Sequence, residues 1–274
     1  MFNLTVSIVT YKTDPNQLIR CLRSLELYTG SIFIYLIDNS PSNDLFAISQ
    51  EHNNIEYVHL SHNPGFGCGH NEGIRRAAEK KANFHLVLNA DIYFYSDIIT
   101  PLLGHMNRNS NVGMIMPKIL NPDNSIQRLC KLVPTPLDLL ARRLLPKSLR
   151  KLVGERFELH STGYDKIMYV PYLSGCFMLI RKKTLENVGT FDERFFMYPE
   201  DIDLSRRIAS LQDTIFFPLV SAYHEHGAES HKSMKMFLIH SYNICKYFNK
   251  WGWLYDPGRS KLNKKTISLL KKHK

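Results

Sequence analysis

Residues 191–207, FDERFFMYPEDIDLSRR, crowd acidic and basic side chains among four aromatic rings. At their centre stands Glu200-Asp201-x-Asp203, which reads as the first turn of a helix continuing to about Leu211. Asp201, Leu204, Ile208 and Leu211 recur at spacings of three, four and three, so Asp201 shares one stripe with apolar anchors. At a helix start the free N–H groups and the dipole hold a carboxylate ionised. The approach Phe195-Phe196-Met197-Tyr198 reads as the wall of a site. Asp203 has a plainer reading, as a first-turn acid paired with Arg207 at i, i+4.

Further constellations could join this one. Residues 63–69, NPGFGCG, set Gly65, Gly67 and Gly69 at alternating positions just before a helix. Such glycines permit close backbone approach and offer N–H groups to an anion. The spacing is neither the dinucleotide fingerprint nor a P-loop, and a flexible connection is the competing reading. Asp91 ends a hydrophobic strand two residues after Asn89. As a hard oxygen ligand it suits Mg²⁺ or Mn²⁺, which take one or two protein carboxylates and leave other positions to phosphate and water. On its own the triplet reads more readily as a strand-end turn. His224, in the YHEHG of 223–227, could bring an imidazole to the same ion, with His226 on the same side of an extended chain. An ordinary histidine is the commoner reading for any one of the 12 present, and there is no H-E-x-x-H to suggest a zinc hydrolase.

The elements that must position these residues alternate. Residues 4–10, 32–37, 55–60 and 84–88 read as strands, rich in β-branched and aliphatic side chains. Asp14-Pro15 opens a helix with Leu18, Cys21, Leu22 and Leu25 on its apolar face, a weaker helix follows the second strand, and another is expected over about 71–81. This β-α-β-α order predicts a parallel α/β sheet with ligands at the carboxyl ends of its strands, where Asp38, residues 63–69 and Asp91 all fall. The second half is less regular. Strands are expected at 112–119, 175–180, 214–217 and 222–225, with an amphipathic basic segment, 134–153, broken by Pro146. No internal repeat and no clear linker interrupts the chain.

The 274 residues suffice for one large domain or two small ones, and an apolar fraction of 44% with 14 Gly and 13 Pro is that of a globular chain. Five scattered cysteines without a C-x-x-C fit a reducing cytosol rather than a disulfide framework or a structural zinc site. No apolar run approaches the roughly 18 residues that span a bilayer, and residues 1–12 do not read as a signal peptide. The net charge of +10 is local: residues 231–274 hold eleven Lys and Arg against one acid, Asp256, and the rest is neutral. Tyr, Phe and Trp interleave with these lysines. That combination suits a membrane surface better than nucleic acid, while a solvated basic end is the commonest outcome.

Taken in order, the motifs resemble those of glycosyltransferase family 2 enzymes of the GT-A fold, above all a rhamnosyltransferase-like branch. The matching pieces are VSIVTY (6–11), IDNS (37–40), NPGFGCGHNEG (63–73), LNAD (88–91), SGCFMLIR (174–181), GTFDE (189–193), FMYPEDIDL (196–204) and His224-x-x-Gly227 with Ser230. The resemblance covers about residues 4–232. It implies a GT-A domain over 1–230, with a Rossmann-like nucleotide-binding part to about 120 and a mixed acceptor-side half to about 230. A basic amphipathic, helical segment would follow over 231–274.

The resemblance also implies roles. Thr10, Tyr11 and Asp38 would border the base and ribose; Asn63, Gly65, Gly69 and Asn71 would line the nucleotide or its diphosphate. Asn89 and Asp91 stand where the family has D-x-D, so one carboxylate is missing and metal affinity leans on Asp91, His224 and the diphosphate. Asp201 would be the general base, with Glu200 beside it. The implied reaction is inverting and Mg²⁺- or Mn²⁺-dependent, passing a sugar from a nucleotide sugar to a hydroxyl of a saccharide acceptor carried on a polyprenyl diphosphate. L-Rhamnose from dTDP-rhamnose leads, with UDP-galactofuranose, UDP-glucose and UDP-galactose open, in the synthesis of cell-surface polysaccharide or O-antigen. The expected place is the cytoplasm, peripheral on the inner face of the membrane through the basic segment, with no nucleic-acid partner. An inactive nucleotide- or carbohydrate-binding module is the alternative.

Overall fold

The aliphatic runs form strands where they are expected. In the computed structural model, which describes residues 3–139, 153–225 and 234–272, the first half alternates β1 (Leu4–Thr10), α1 (Pro15–Leu25), β2 (Ile32–Asp38), α2 (Phe46–Gln50), β3 (Ile55–His59), α3 (Phe66–Ala77) and β4 (Phe84–Asn89). The four strands pair in parallel in the order β3-β2-β1-β4. Their carboxyl ends therefore open on one side, and β1, β2 and β4 are buried almost throughout, as helix-covered strands must be. The start of α1 follows from its sequence: Asp14 accepts from the Asn16 N–H and Pro15 takes the first turn.

The start of α3 departs from expectation. It begins at Phe66, five residues early, behind a Gly65 cap at φ 99°. A Cβ at Gly65 would come within 2.3 Å of the Phe196 carbonyl oxygen, so glycine is required there. Gly69 is already helical, and its bare Cα lets α3 lie on β1, where a Cβ would meet Val9 at 2.9 Å.

Beyond β4 the sheet becomes mixed. The elements are β5 (Ile92–Tyr93), α4 (Ile99–Arg108), β6 (Val112–Leu120), β7 (Cys130–Lys131), β8 (Met168–Tyr169), β9 (Tyr172–Leu173), β10 (Phe177–Arg181), α5 (Lys182–Val188), α6 (Glu200–Leu211) and β11 (Asp213–His224). The sheet continues β4-β10-β6-β11-β5, with β8 also on β11, while β7 and β9 make a separate pair. β10 is antiparallel to both neighbours. Its amino end, with Gly175 and Cys176 just before it, thus lies beside the carboxyl end of β4. The two strands expected at 214–217 and 222–225 are one strand, β11, whose register against β6 shifts between Phe217 and Ser221. Pro218 stands in that shift and has no N–H for the ladder. α4 was not anticipated; Pro101 hides it in the sequence but falls in its first turn, where the N–H needs no helical partner.

The C-terminal stretch is two helices, α7 (Met234–Trp251) and α8 (Pro257–Lys272). Tyr247 and Phe248 of α7 are buried in the main core, and Asn263 of α8 exchanges two hydrogen bonds with the Val133 backbone. Part of the basic charge is used internally, Lys250 on Asp192 and Asp203 and Lys265 on Asp213. None of the described helices is long and apolar enough to cross a membrane. Of the expected basic segment 134–153, residues 140–152 lie outside the described residues, as do His226, Gly227 and Ser230.

Candidate active site

The acidic helix α6 spans the expected residues, with Glu200 and Asp201 in its first turn. Asp201 is nine-tenths buried. Its Oδ2 accepts from the Gly175 N–H at 3.0 Å and the Tyr172 hydroxyl at 3.2 Å, and its Oδ1 from the Ile202 N–H at 2.7 Å. Burial pushes its carboxyl above the usual carboxylate range, against the pull of the Gly175 N–H and the Lys131 charge. Glu200 is also buried, and its Oε2 meets no hydrogen-bond partner. Burial first, and the Asp201 charge second, push the Glu200 carboxyl up as well, so the two neighbouring carboxyls resist ionising together. Two buried carboxyls side by side favour a pair carrying one proton, and the three hydrogen bonds at Asp201 suit its carboxylate form.

One expectation on this helix needs correction: Leu211 is exposed, so the apolar stripe ends at Ile208. Asp203 is a first-turn acid and pairs with Arg207 at 2.8 Å as expected; fully buried, it also holds Lys250 Nζ at 2.6 Å and accepts from Trp251 Nε1 at 2.7 Å.

Asp91 and His224 come together from different strands. β11 pairs β5 with His224 opposite Ile92, which sets His224 Nε2 3.3 Å from Asp91 Oδ1. Gln127 decides which imidazole nitrogen carries the proton. Its Nε2 donates to the His224 carbonyl at 2.8 Å and to Asn121 Oδ1 at 2.6 Å, which leaves its Oε1 facing His224 Nδ1 at 2.8 Å. In the neutral ring Nδ1 is then the donor, and the Nε2 lone pair turns toward a carboxylate oxygen that is buried and makes no hydrogen bond. Two acceptors aimed at one point fit a divalent cation. Among the described residues no group of three His, Cys, Asp or Glu side chains is arranged for a metal. The donor set thus suits Mg²⁺ or Mn²⁺ completed by phosphate oxygens and water, not a protein-caged ion. Burial first, against the pull of a Ser174 hydrogen bond, and then the Asp91 and Asp201 charges push the Cys176 thiol up to about 12.

The residues expected around the nucleotide divide into two groups. Tyr11 is exposed and Asn63, Asn89 and Asp91 are half-buried. Thr10, Asp38 and Asn71 are buried and engaged with neighbours. Asp38 accepts from Thr10 Oγ1, the Ser40 N–H and the Tyr57 hydroxyl. Asn71 donates to the Phe191 carbonyl and Glu193 Oε1 and accepts from the Phe191 N–H, which ties α3 to the approach to α6. Gly65 and Gly69, both buried, serve the close approaches already described. Two surface hollows, of about 470 Å³ along Lys264 and Lys271 and about 230 Å³ beside Leu22 and His52, lie away from this cluster. Tyr172, Gly175 and Gln127 escape sequence reasoning as functional residues. Only Gly175, inside SGC, carried a signal.

The family model described as "Glycosyl transferase family 2" matches residues 5–189. The chain is 27% identical to N-acetylglucosaminyl-diphospho-decaprenol L-rhamnosyltransferase of Mycobacterium tuberculosis, over 93% of this chain and 88% of that one. Among solved structures it is similar to the mannosyltransferase PcManGT from Pyrobaculum calidifontis in complex with GDP-Man and Mn²⁺, at TM-score 0.63 and 14% identity, covering 98% of this chain and 69% of that chain. It is also similar to S. aureus TarS, at TM-score 0.62 and 13% identity; there it covers 97% of its own length but spans only 43% of TarS. At these identities the structural likenesses speak for the GT-A fold.

Proposed function

The chain belongs to glycosyl transferase family 2 and is a glycosyltransferase, and from that premise we propose an inverting transfer of a sugar from a nucleotide sugar to a saccharide hydroxyl, with Asp201 as general base. The observation that carries this reading is the setting of Asp201: buried and oriented by Tyr172 and Gly175, with Gly175 just before β10, whose amino end lies beside the carboxyl end of β4 that leads to Asp91. The acceptor hydroxyl oxygen attacks the anomeric carbon as the bond to the nucleoside diphosphate breaks on the opposite face. Asp201 takes the hydroxyl proton, and the diphosphate leaves with the bonding electron pair. Asp91 and His224 would hold a divalent cation, Mg²⁺ or Mn²⁺, whose charge offsets that building on the leaving diphosphate. Gln127 orients the His224 ring so that Nε2 faces Asp91. Glu200 stands beside the base as its buried neighbour. Tyr11, Asn63 and Asn89 would face the nucleotide; Thr10, Asp38, Gly65, Gly69 and Asn71 build the wall behind it.

The similarity to an N-acetylglucosaminyl-diphospho-decaprenol L-rhamnosyltransferase supports a polyprenyl-diphosphate-linked saccharide as acceptor and L-rhamnose as the sugar, with dTDP-rhamnose as the proposed donor. An acceptor of that kind, together with the basic C-terminal charge, supports attachment to the inner face of the membrane and a place in surface-polysaccharide synthesis. Thermal shift with dTDP, UDP and GDP and their sugars, with and without Mn²⁺, tests the reading, since a ligand of the folded state raises Tm by mass action. Stabilisation by dTDP or dTDP-rhamnose that needs Mn²⁺ is expected. A folded protein that responds to no nucleotide under any condition contradicts it.

A further inference from the structure

The loop between α7 and α8, Trp253-Leu254-Tyr255, is exposed at 41%, 92% and 84%. An apolar triplet this open is unusual on a soluble surface, and its base is firmly built. Gly252, at φ 100°, turns the chain where a Cβ would sit 2.3 Å from the Tyr255 carbonyl, and its N–H closes on the Phe248 carbonyl at 2.7 Å. Trp253 donates to Asn249 at 2.8 Å and packs on Phe248. On the far side Asp256 caps α8 through the Arg259 N–H and grips Arg206 of α6 with two bonds of 3.0 Å. Arg259 reaches back to the Leu254 carbonyl and also to that of Pro134, tying the loop to the segment that carries exposed Leu137.

We propose that this loop is a membrane-inserting spur: Leu254 and Tyr255 enter the interface of an anionic bilayer, and the Arg206–Asp256 pair fixes the height of α6, with Asp201 five residues earlier, above that bilayer. The chemistry favours a bilayer over a second copy of the chain. Trp, Leu and Tyr are the side chains that partition into the headgroup boundary. The helix that follows carries exposed Lys261, Lys264, Lys271 and Lys272 and no acid, which suits anionic lipid. A tip of three residues is also far smaller than the roughly 800 Å² per partner that a stable protein interface needs. The proposal rests on the membrane attachment proposed above and adds to it the element that inserts.

The test uses the full-length protein in a Cys68→Ser/Cys245→Ser background, with an environment-sensitive fluorophore (NBD) on Leu254→Cys and, as control, on Leu219→Cys, an exposed site on β11. Each is mixed with vesicles of phosphatidylcholine alone or with phosphatidylglycerol. A blue shift at position 254 alone, dependent on anionic lipid, is expected. The Leu254→Ser/Tyr255→Ser variant should lower vesicle partitioning by about tenfold or more, the loss for exposing two such side chains, with unchanged transfer to a soluble acceptor. Cosedimentation without a blue shift at 254 overturns the spur while leaving membrane attachment standing. No cosedimentation at all overturns both. A concentration-dependent dimer in sedimentation velocity that the double serine variant abolishes would assign the loop to a second copy and overturn the proposal.

Discussion

Removing the Asp256 carboxylate should unfasten the C-terminal helices from the catalytic helix. Arg206 and Asp256 are both almost fully buried, with two bonds of 3.0 Å between them. The guanidinium also donates to Tyr247 at 2.9 Å and lies 3.8 Å over the Trp251 ring. In Asp256→Ala the Arg206 charge stays buried without its counter-ion, a loss of about 3–5 kcal/mol. The Arg259 N–H at the start of α8 also loses its acceptor, adding about 1 kcal/mol. Against a total stability on the order of 5–15 kcal/mol, that loss is enough to undock α7 and α8 before the sheet unfolds. Urea titration separates the two events, because both tryptophans, Trp251 and Trp253, lie at this joint. Their fluorescence midpoint should fall well below the circular-dichroism midpoint in the variant, while the two coincide in the wild type. Arg206→Met/Asp256→Leu, which removes both charges, should recover most of the loss. A loss under about 1 kcal/mol in Asp256→Ala, or a double variant worse than the single, would refute the reasoning.

Glu200→Gln should raise stability at neutral and alkaline pH. The folded-state carboxyl is raised, so the native state holds a proton the unfolded chain has released, and wild-type stability falls as pH climbs past the ordinary carboxylate range toward the raised value. The amide removes Glu200's share of that slope and leaves that of the raised Asp201 carboxyl, with a gain on the order of 1–3 kcal/mol at pH 8 by chemical denaturation; an unchanged slope counts against a buried Glu200 carboxyl with a raised pKa. Gln127→Leu frees the His224 ring to turn, and should weaken Mn²⁺ binding in the presence of dTDP by about 10–100-fold, read by titration calorimetry, with the fold intact. Gly65→Ala places a methyl against the Phe196 carbonyl in a left-handed cap and should cost about 1–3 kcal/mol in Tm-derived stability; a neutral result would show that the cap can relax.

The first half of the fold was legible because each strand there is a short run of β-branched and aliphatic residues bounded by turn chemistry, and Asp14-Pro15 announces its helix. α6 was readable for a similar reason, since three first-turn acids and a recurring apolar spacing mark both its ends. The start of α3 was misread because Gly65, Gly67 and Gly69 look like a loop in sequence, whereas what they satisfy is contact with Phe196 and Val9 from distant parts of the chain. β11 looked like two strands because a proline in a ladder is disfavoured, and the sheet absorbs it with a shift of register. The tail's charge suggested a membrane-facing or solvated basic end; the acids that hold Lys250 and Lys265, namely Asp192, Asp203 and Asp213, are not marked in sequence as buried or half-buried partners. Asp91 and His224 stand 133 residues apart, and only the β5–β11 pairing joins them. Gln127, which orients His224, lies in an irregular stretch with no periodicity to flag it.

The most direct measurement compares transfer from dTDP-rhamnose to a polyprenyl-diphosphate-linked N-acetylglucosamine by the wild type and Asp201→Asn, with Mn²⁺ saturating and donor binding followed separately by thermal shift. The asparagine retains the acceptor for Gly175 and Tyr172 but takes no proton. Turnover should fall by about 10²–10⁴-fold while the donor still stabilises the fold. Wild-type turnover in Asp201→Asn would contradict the assignment of Asp201 as the base.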